Sequence, residues 1–291
     1  MKVEEIITQR IIEKLEQGTV PWRKPWAGGG MPKNFINRKE YRGINPFLLG
    51  SAGYAYPYFL TFIQARQLGG NIKKGSKGMP VIFFKFVEEE NEAVRPVWED
   101  SKTVKRFPVL RYYTVFNIEQ TEGIDYSGTI AESPTLNNFQ TIQRAESLIQ
   151  NMQNKPECQE IENRAYYSPI KDLVNMPKRE MFESEPAYYS TYFHELTHST
   201  GHSSRLNRKT LAGLNAFGNH DYSKEELCAE MGAAMLCGHA GIENQTIDNS
   251  AAYIAGWLNA LRSDRRFVIQ AAGYAQRAVD YVLGRKFEED D

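Results

Sequence analysis

Cysteine is scarce in this chain, with three in 291 residues, at Cys158, Cys228 and Cys237. An odd count without close pairing excludes a disulfide framework and fits a reducing compartment. Cys228 and Cys237 stand in an apolar helical stretch, where free cysteine serves as a small core residue. No run of apolar residues is long enough to span a bilayer, so no membrane partner is expected. The opening MKVEEIITQRIIEKLEQG carries acids where a secretory leader needs bases and an unbroken apolar stretch. These absences predict a soluble, cytoplasmic protein. There is no internal repeat or low-complexity tract. A helix-turn-helix or zinc-finger signature is also lacking, which leaves sequence-specific reading of duplex DNA unsupported. Histidine is scarce too, and all five fall between 194 and 239.

Hydrophobic residues make up 41% of the chain, enough for sizeable cores, and the length predicts about two domains. The formal net charge is −1, but its distribution is uneven: residues 1–85 hold 14 Lys and Arg against 5 Asp and Glu. A basic front and an acidic back suggest that the front meets a polyanion.

Val3, Ile7, Ile11 and Leu15 repeat at helical spacing up to Gly18, which predicts an opening helix. Residues 58–68 read as a second helix and 80–87 and 109–118 as strands, with a long exposed hairpin loop at 88–100. Residues 125–138 have linker composition. Helices are predicted at 139–152, 186–201, 223–239, 249–262 and 264–284, with a short strand region from 165 to 176. The expected class is α+β. A mixed α/β domain covers 1–125, a linker 126–138, and a mainly helical domain with a small sheet 139–291.

The back half reads His194-Glu195-Leu196-Thr197-His198. Positions i and i+4 share one helix face, so both imidazoles can reach one cation. Glu195 stands where it can accept a proton from a water that the cation activates, as a general base. Two histidines on a helix surface are the plain alternative. A catalytic site needs a third protein ligand. His202 is two turns from His194 and can join only if the helix breaks. Ser204 stands where the longer metzincin spacing requires histidine. His220 and Asp221 are further candidates. The favoured source is the helix carrying Glu226 and Glu230, two carboxylates four residues apart whose mutual repulsion a cation offsets. One would ligate and the other would orient a ligand histidine from behind. The alternative is a capping box, with Ser223 as N-cap and Glu226 at the third helical position. Tyr222, His220 and His202 are candidate oxyanion donors.

The front half interleaves aromatic and basic residues, as single-stranded nucleic acid requires: rings for bases, cations for phosphates. The candidate contacts are Trp22, Arg23, Lys24, Trp26, Tyr41, Arg42, Lys73, Lys74 and Lys77. Placement of the aromatics in the core is the competing reading for any single one.

The helix pair His194-Glu195-x-x-His198 and Glu226-x-x-Ala229-Glu230 resembles the gluzincin arrangement. That resemblance implies Glu226 as third ligand and Glu230 as orienter. Trp22-Arg23-x-Pro25-Trp26, Tyr41-Arg42-Gly43-Ile44-Asn45, Lys74-Gly75-x-Lys77-Gly78 and Tyr253-x-x-x-Trp257-Leu258 resemble ArdC-type antirestriction proteins. The front domain also resembles the start of some plasmid primases. The resemblance implies a front domain that binds single-stranded DNA and a zinc metallopeptidase domain acting on a peptide substrate. Its role would be protection of mobile-element DNA. The alternatives are a non-proteolytic DNA-binding protector with a structural or vestigial metal site, and a plasmid replication or primase accessory protein.

Overall fold

The computed structural model describes residues 2–23, 30–90, 104–131, 138–211, 220–242 and 251–285. Helix α1 (Val3–Glu16) buries Ile7, Thr8, Ile11, Ile12 and Leu15 along one face, and Gly18 follows in the left-handed region at φ 74°. After β1 (Lys33–Asn34) and α2 (Asn45–Gly50) comes β2 (Tyr58–Leu60), and then α3 (Phe62–Gln67). The helix expected over 58–68 is therefore shorter. Tyr58, Phe59 and Leu60 are all buried as a strand, and the Thr61 hydroxyl accepts from Gln64 N to start the helix behind them.

Strand β3 (Asn71–Ile72) pairs with β6 (Thr121–Glu122). Between them β4 (Met79–Glu90) and β5 (Val104–Asn117) form a long antiparallel ribbon. The main sheet has the order β1-β2-β5-β4, with β1 parallel to β2 and the other pairings antiparallel. Asn45 locks β4 in place: its amide donates to Ile82 O and accepts from Ile82 N, both at 2.8 Å and buried. The expected linker carries a short helix, α4 (Ser127–Ala131), and 132–137 lie outside the described residues.

The second half opens with α5 (Asn138–Asn151). A three-stranded sheet follows, β7 (Glu157–Gln159), β8 (Tyr166–Ser168) and β9 (Leu173–Asn175), in the order β7-β9-β8. Helices α6 (Glu185–Ser199), α7 (His220–Ala240), α8 (Ala251–Ser263) and α9 (Phe267–Val282) complete it. This mixed α and β architecture is the one expected. Among the described residues no helix is long and apolar enough to cross a membrane.

The two halves share a core. Ile7, Ile11, Trp22, Phe47 and Ile82 of the first half belong to the same buried cluster as Phe193, Met231 and Phe267 of the second. Polar bonds reinforce the seam: Thr8 Oγ1 donates to Arg265 O at 2.7 Å, and Gly43 N donates to Gln276 Oε1 at 3.0 Å.

Helix α6 is capped by Ser184, whose hydroxyl accepts from Ala187 N at 3.2 Å, with Pro186 in the first turn. It lies against α7 so closely that a Cβ on Gly232 would sit 2.5 Å from Thr197 Cγ2 and 2.7 Å from Thr197 Oγ1. The hydroxyl of Thr197 is itself held to Phe193 O at 2.7 Å, so it has little room to yield. Gly232→Ala is expected to lower stability by about 1–3 kcal/mol, as overpacking does. Gly273→Ala on α9, with nothing within 4 Å of the added carbon, is expected to be neutral or mildly stabilising. Urea unfolding midpoints check the pair, and equal midpoints would show that the helices separate without cost.

Candidate metal centre

Helix α6 presents His194, Glu195 and His198 at one end of the α6–α7 contact, and α7 brings Glu226 to meet them. The two Nε2 atoms are 3.1 Å apart. Glu226 Oε2 lies 3.6 Å from His194 Nε2, and Glu226 Oε1 lies 3.5 Å from His198 Nε2. Ligands held about 2.1 Å from a tetrahedral cation are separated by about 3.4 Å. The three side chains thus already lie on the edges of a tetrahedron of that size, and they fit a divalent cation. Glu195, 9% exposed, sits beside the cluster with its carboxylate near enough to raise the basicity of His194. Helix α7 begins at His220, so Ser223 is inside the helix and the capping-box alternative for Glu226 does not describe this structure.

The electrostatics follow from the mutual proximity of these groups. Burial would raise the Glu226 carboxyl, but the hydrogen bond from His194 and the charges of His198 and His194 pull it below the ordinary carboxylate range. Burial would lower His194, but the Glu226 contact and the charges of Glu195, Glu226 and Glu230 push it up to about 9.

Behind His198 stands a residue that the sequence reading missed. Glu225 is fully buried, and its Oε1 lies 3.3 Å from His198 Nδ1. With Nδ1–H donated to that carboxylate, the His198 Nε2 lone pair faces Glu226 and His194. Arg208 donates from Nε and Nη2 to Glu225 at 3.1 and 2.5 Å, and the Thr210 hydroxyl donates at 2.6 Å. Burial alone would raise the Glu225 carboxyl, but the Arg208 charge and the hydrogen bonds from His198 and Arg208 hold it far below the usual range. Arg208 also donates to Thr197 O at 2.9 Å, where a cation satisfies the carbonyl end of α6.

Glu230, expected to orient a ligand histidine, has other partners. It accepts from Trp22 Nε1 at 2.7 Å and from the Tyr253 hydroxyl. Among the described residues it has no hydrogen bond to His194 or His198, and the carboxylate behind His198 is Glu225. Burial pushes the Glu230 carboxyl up to about 7 against the lowering contacts of Tyr253, His194 and Trp22. The apolar run around 230 is a helix face packed on both halves, which is why this acid points at a tryptophan and a tyrosine. A signal for Glu225 was present in the adjacent acids Glu225-Glu226, since neighbours on a helix point about 100° apart and can serve opposite sides of one imidazole.

His202 lies beyond α6, with Nδ1 2.8 Å from Ser204 Oγ and 3.8 Å from Asp172 Oδ2, and does not join the cluster. The side chains of His220, Asp221 and Tyr222 lie outside the described residues.

The expected nucleic-acid contacts divide sharply. Trp22 is fully buried and meets Trp257 edge-to-face at 6.2 Å. Tyr41 is buried within the sheet core. Both therefore pack instead of offering a face to bases. The Arg42 guanidinium is paired with Asp280 at 2.5 Å. Arg23, Lys73, Lys74 and Lys77 are exposed, and Lys24 and Trp26 lie outside the described residues.

The raised pKa values of His194 and Glu230 give a sign. Below pH 6.5 the His194 contribution to the stability of metal-free protein is complete, and it is lost as pH rises through about 9. The protonated Glu230 contribution is complete below 4.5 and is lost through about 7. The Tm of chelator-treated protein is expected to fall from pH 6 to pH 9 across these windows. Glu230→Gln should remove the lower part of that fall only. A Tm that rises over the same interval would contradict both assignments.

Comparison with known proteins places the chain in a family. The model of the zincin-like metallopeptidase family matches residues 143–274, and that of the N-terminal domain of anti-restriction factor ArdC matches residues 1–116. DNA primase TraC of Escherichia coli is 34% identical over 96% of this chain, which spans 20% of that protein; for a second TraC of the same species the values are 35%, 96% and 27%. This chain therefore spans under a third of the primases it matches. The uncharacterized protein y4eC of Sinorhizobium fredii is 34% identical over 96% of this chain and 90% of its own length. The crystal structure of antirestriction protein ArdC from plasmid R388 superposes with a TM-score of 0.76 in its metal-free form, at 34% identity over 99% of this chain and all of that one. Its Mn(II)-bound form gives 0.75. The chain belongs to the ArdC-type antirestriction family and carries both of its parts, the ArdC N-terminal domain and the zincin-like metallopeptidase domain, in that order.

Proposed function

We propose that this protein is a metal-dependent peptidase joined to a single-stranded-DNA-binding half, serving to protect the DNA of a mobile element from restriction. The observation that carries the reading is the convergence of His194, His198 and Glu226 with Glu195 beside them. A purely structural site has no use for an additional free carboxylate at this position.

His194, His198 and Glu226 would hold the cation. Imidazole and carboxylate donors suit zinc, and the same set accepts manganese, the ion of the bound R388 ArdC structure. The bound ion would supply Lewis acidity towards a water and a peptide carbonyl. Glu195 takes the proton of the attacking water and delivers it to the leaving amine. Glu225 keeps His198 in the tautomer whose Nε2 is free to ligate. Strand β8 stands at the edge of its sheet, where an extended peptide can add as a further strand. Beside it a cavity of about 480 Å³ is lined by Tyr166, Ser168, Ile170, His202 and Leu211.

The front half supports the DNA reading through its charge and through the exposed Arg23, Lys73, Lys74 and Lys77. A second reading draws on the primase relatives, which match this chain over 96% of its length. In it the protein serves plasmid replication as a DNA-binding accessory.

Elemental analysis tests the site. Wild type is expected to carry about one zinc or manganese per chain, and Glu226→Ala to lose most of it, because one of three protein ligands is gone. Retention of the ion by the variant would move the third ligand elsewhere. Glu195→Gln is expected to keep the ion and lose peptide hydrolysis by about two orders of magnitude or more, the usual scale for a general base. If protection against restriction survives that change undiminished, the protector acts by binding DNA and not by proteolysis.

A further inference from the structure

The β4–β5 ribbon carries an aromatic and basic face that none of the residues discussed so far explains. Its register pairs Val81 with Tyr113, Phe83 with Arg111 and Lys85 with Val109. Directly opposed residues of an antiparallel pair share a face. Phe83, Lys85, Arg111 and Tyr113 therefore stand together on one side of the ribbon. At its base that side is core, with Val81 and Val115 fully buried. Beyond Val81 it opens to solvent: Phe83 is 41% and Tyr113 39% exposed, with ring centroids 5.6 Å apart. Lys85 and Arg111 are exposed, and among the described residues neither has an ion-pair partner.

The opposite side is occupied differently. Ile82 is buried in the main core, Leu110 packs against it, and Asn45 grips the Ile82 backbone. Phe84 and Tyr112 are exposed on that side, but the residues paired around them, Leu110, Pro80 and Thr114, add no cation. A cross-strand ring pair alone would be accounted for by ribbon stability. Two exposed cations flanking that pair are not, because they add nothing to packing.

Resting on the single-stranded-DNA reading above, we infer that this face is where the strand binds: Phe83 and Tyr113 stack on bases while Lys85 and Arg111 meet phosphates. Two rings accommodate about two nucleotides. Same-side neighbours along a strand are about 6.8 Å apart, so each ring has a cation within one backbone step. Beyond Lys85 the register sets Glu88 and Glu89 opposite Arg106 and Lys105, so acids and bases offset one another there and the excess of positive charge is confined to the base of the ribbon. Stacking on rings and backbone charge neutralisation carry no base code, and binding is expected to be tolerant of sequence.

Fluorescence anisotropy of the full-length protein with labelled oligo(dT), over a range of salt, tests this. Phe83→Ala with Tyr113→Ala is expected to raise Kd by about tenfold or more per ring. Lys85→Gln with Arg111→Gln, which spares the rings and the ribbon's packing, should reduce the salt slope of binding by about 1.4, two phosphate contacts' worth for a single strand. Unfolding midpoints equal to wild type establish that each variant is folded. Lys73→Ala, Lys74→Ala and Lys77→Ala together should have the smaller effect. If wild type binds and both ribbon variants bind equally well, the ribbon is not the site and the DNA reading stands. If wild type does not bind oligo(dT) even at low salt, the DNA reading falls and takes the ribbon assignment with it.

Discussion

The buried pair between Arg208 and Glu225 is the constraint on which the candidate metal site depends. Arg208 comes from the segment after α6 and reaches back to the carbonyl end of that helix, bonding Thr197 O. Glu225 comes from the early part of α7 and is fully buried. Their contact fixes the rotation of α7 about its own axis. Once Glu225 points at Arg208 and His198 Nδ1, the next residue, Glu226, is turned onto the side where both Nε2 atoms lie. Losing Arg208 would leave a buried carboxylate unmatched, a defect that typically costs about 3–5 kcal/mol. Losing Glu225 would leave a buried guanidinium and free the His198 ring to turn. One ion pair thus sets helix end, helix rotation and histidine tautomer together.

Gly232 completes the same arrangement by distance instead of charge. Without a side chain there, Thr197 of α6 rests almost on the α7 backbone. Four-residue spacing on α6 aligns His194 with His198, and close approach lets a carboxylate as short as glutamate bridge from the neighbouring helix. Much of this was legible in the sequence. The HExxH spacing names its own face of a helix, and Glu226 was among the few acids placed to join it. Glu225 and Arg208 were not legible, because a buried ion pair between segments 17 residues apart leaves no periodic trace. Glu230 shows the limit of carrying a role by spacing alone. Its position on α7 is as expected, yet its surroundings are set by Trp22 and Tyr253, which arrive from distant parts of the chain.

The fold shows the same division between local and long-range information. The opening helix and helices α5 to α9 were expected within a few residues of their bounds, since their apolar spacing is intrinsic. Tyr58, Phe59 and Leu60 were read into a helix because an apolar triplet ahead of a helical segment has no period of its own. Pairing with Asn117 and Phe116 makes it a strand. The aromatics of the front half were harder still. A tryptophan beside arginine and lysine has the same composition in a binding groove and in a core. Trp22 is taken inward by a partner more than 200 residues away. The rings left outside, Phe83 and Tyr113, lie in a stretch that reads as ordinary strand.

In a chain with two expected domains the main buried cluster is drawn from both halves, and the seam has chemical consequences. The first half supplies Trp22 to a carboxyl group one turn along α7 from a candidate metal ligand. That carboxyl is held near neutrality by burial, and the Trp22 N–H and Tyr253 hydroxyl are what make its burial tolerable. An acid in an apolar run is costly unless its oxygens are bonded, so the second half has its polar requirements met only with the first in place. Helix α7 and the first half are in this sense parts of one structure: α7 carries Glu226 towards the histidines on one side and Glu230 towards Trp22 on another. A helix committed on both sides has little freedom to rotate. That rigidity is what the proposed three-ligand site needs from the element that supplies Glu226.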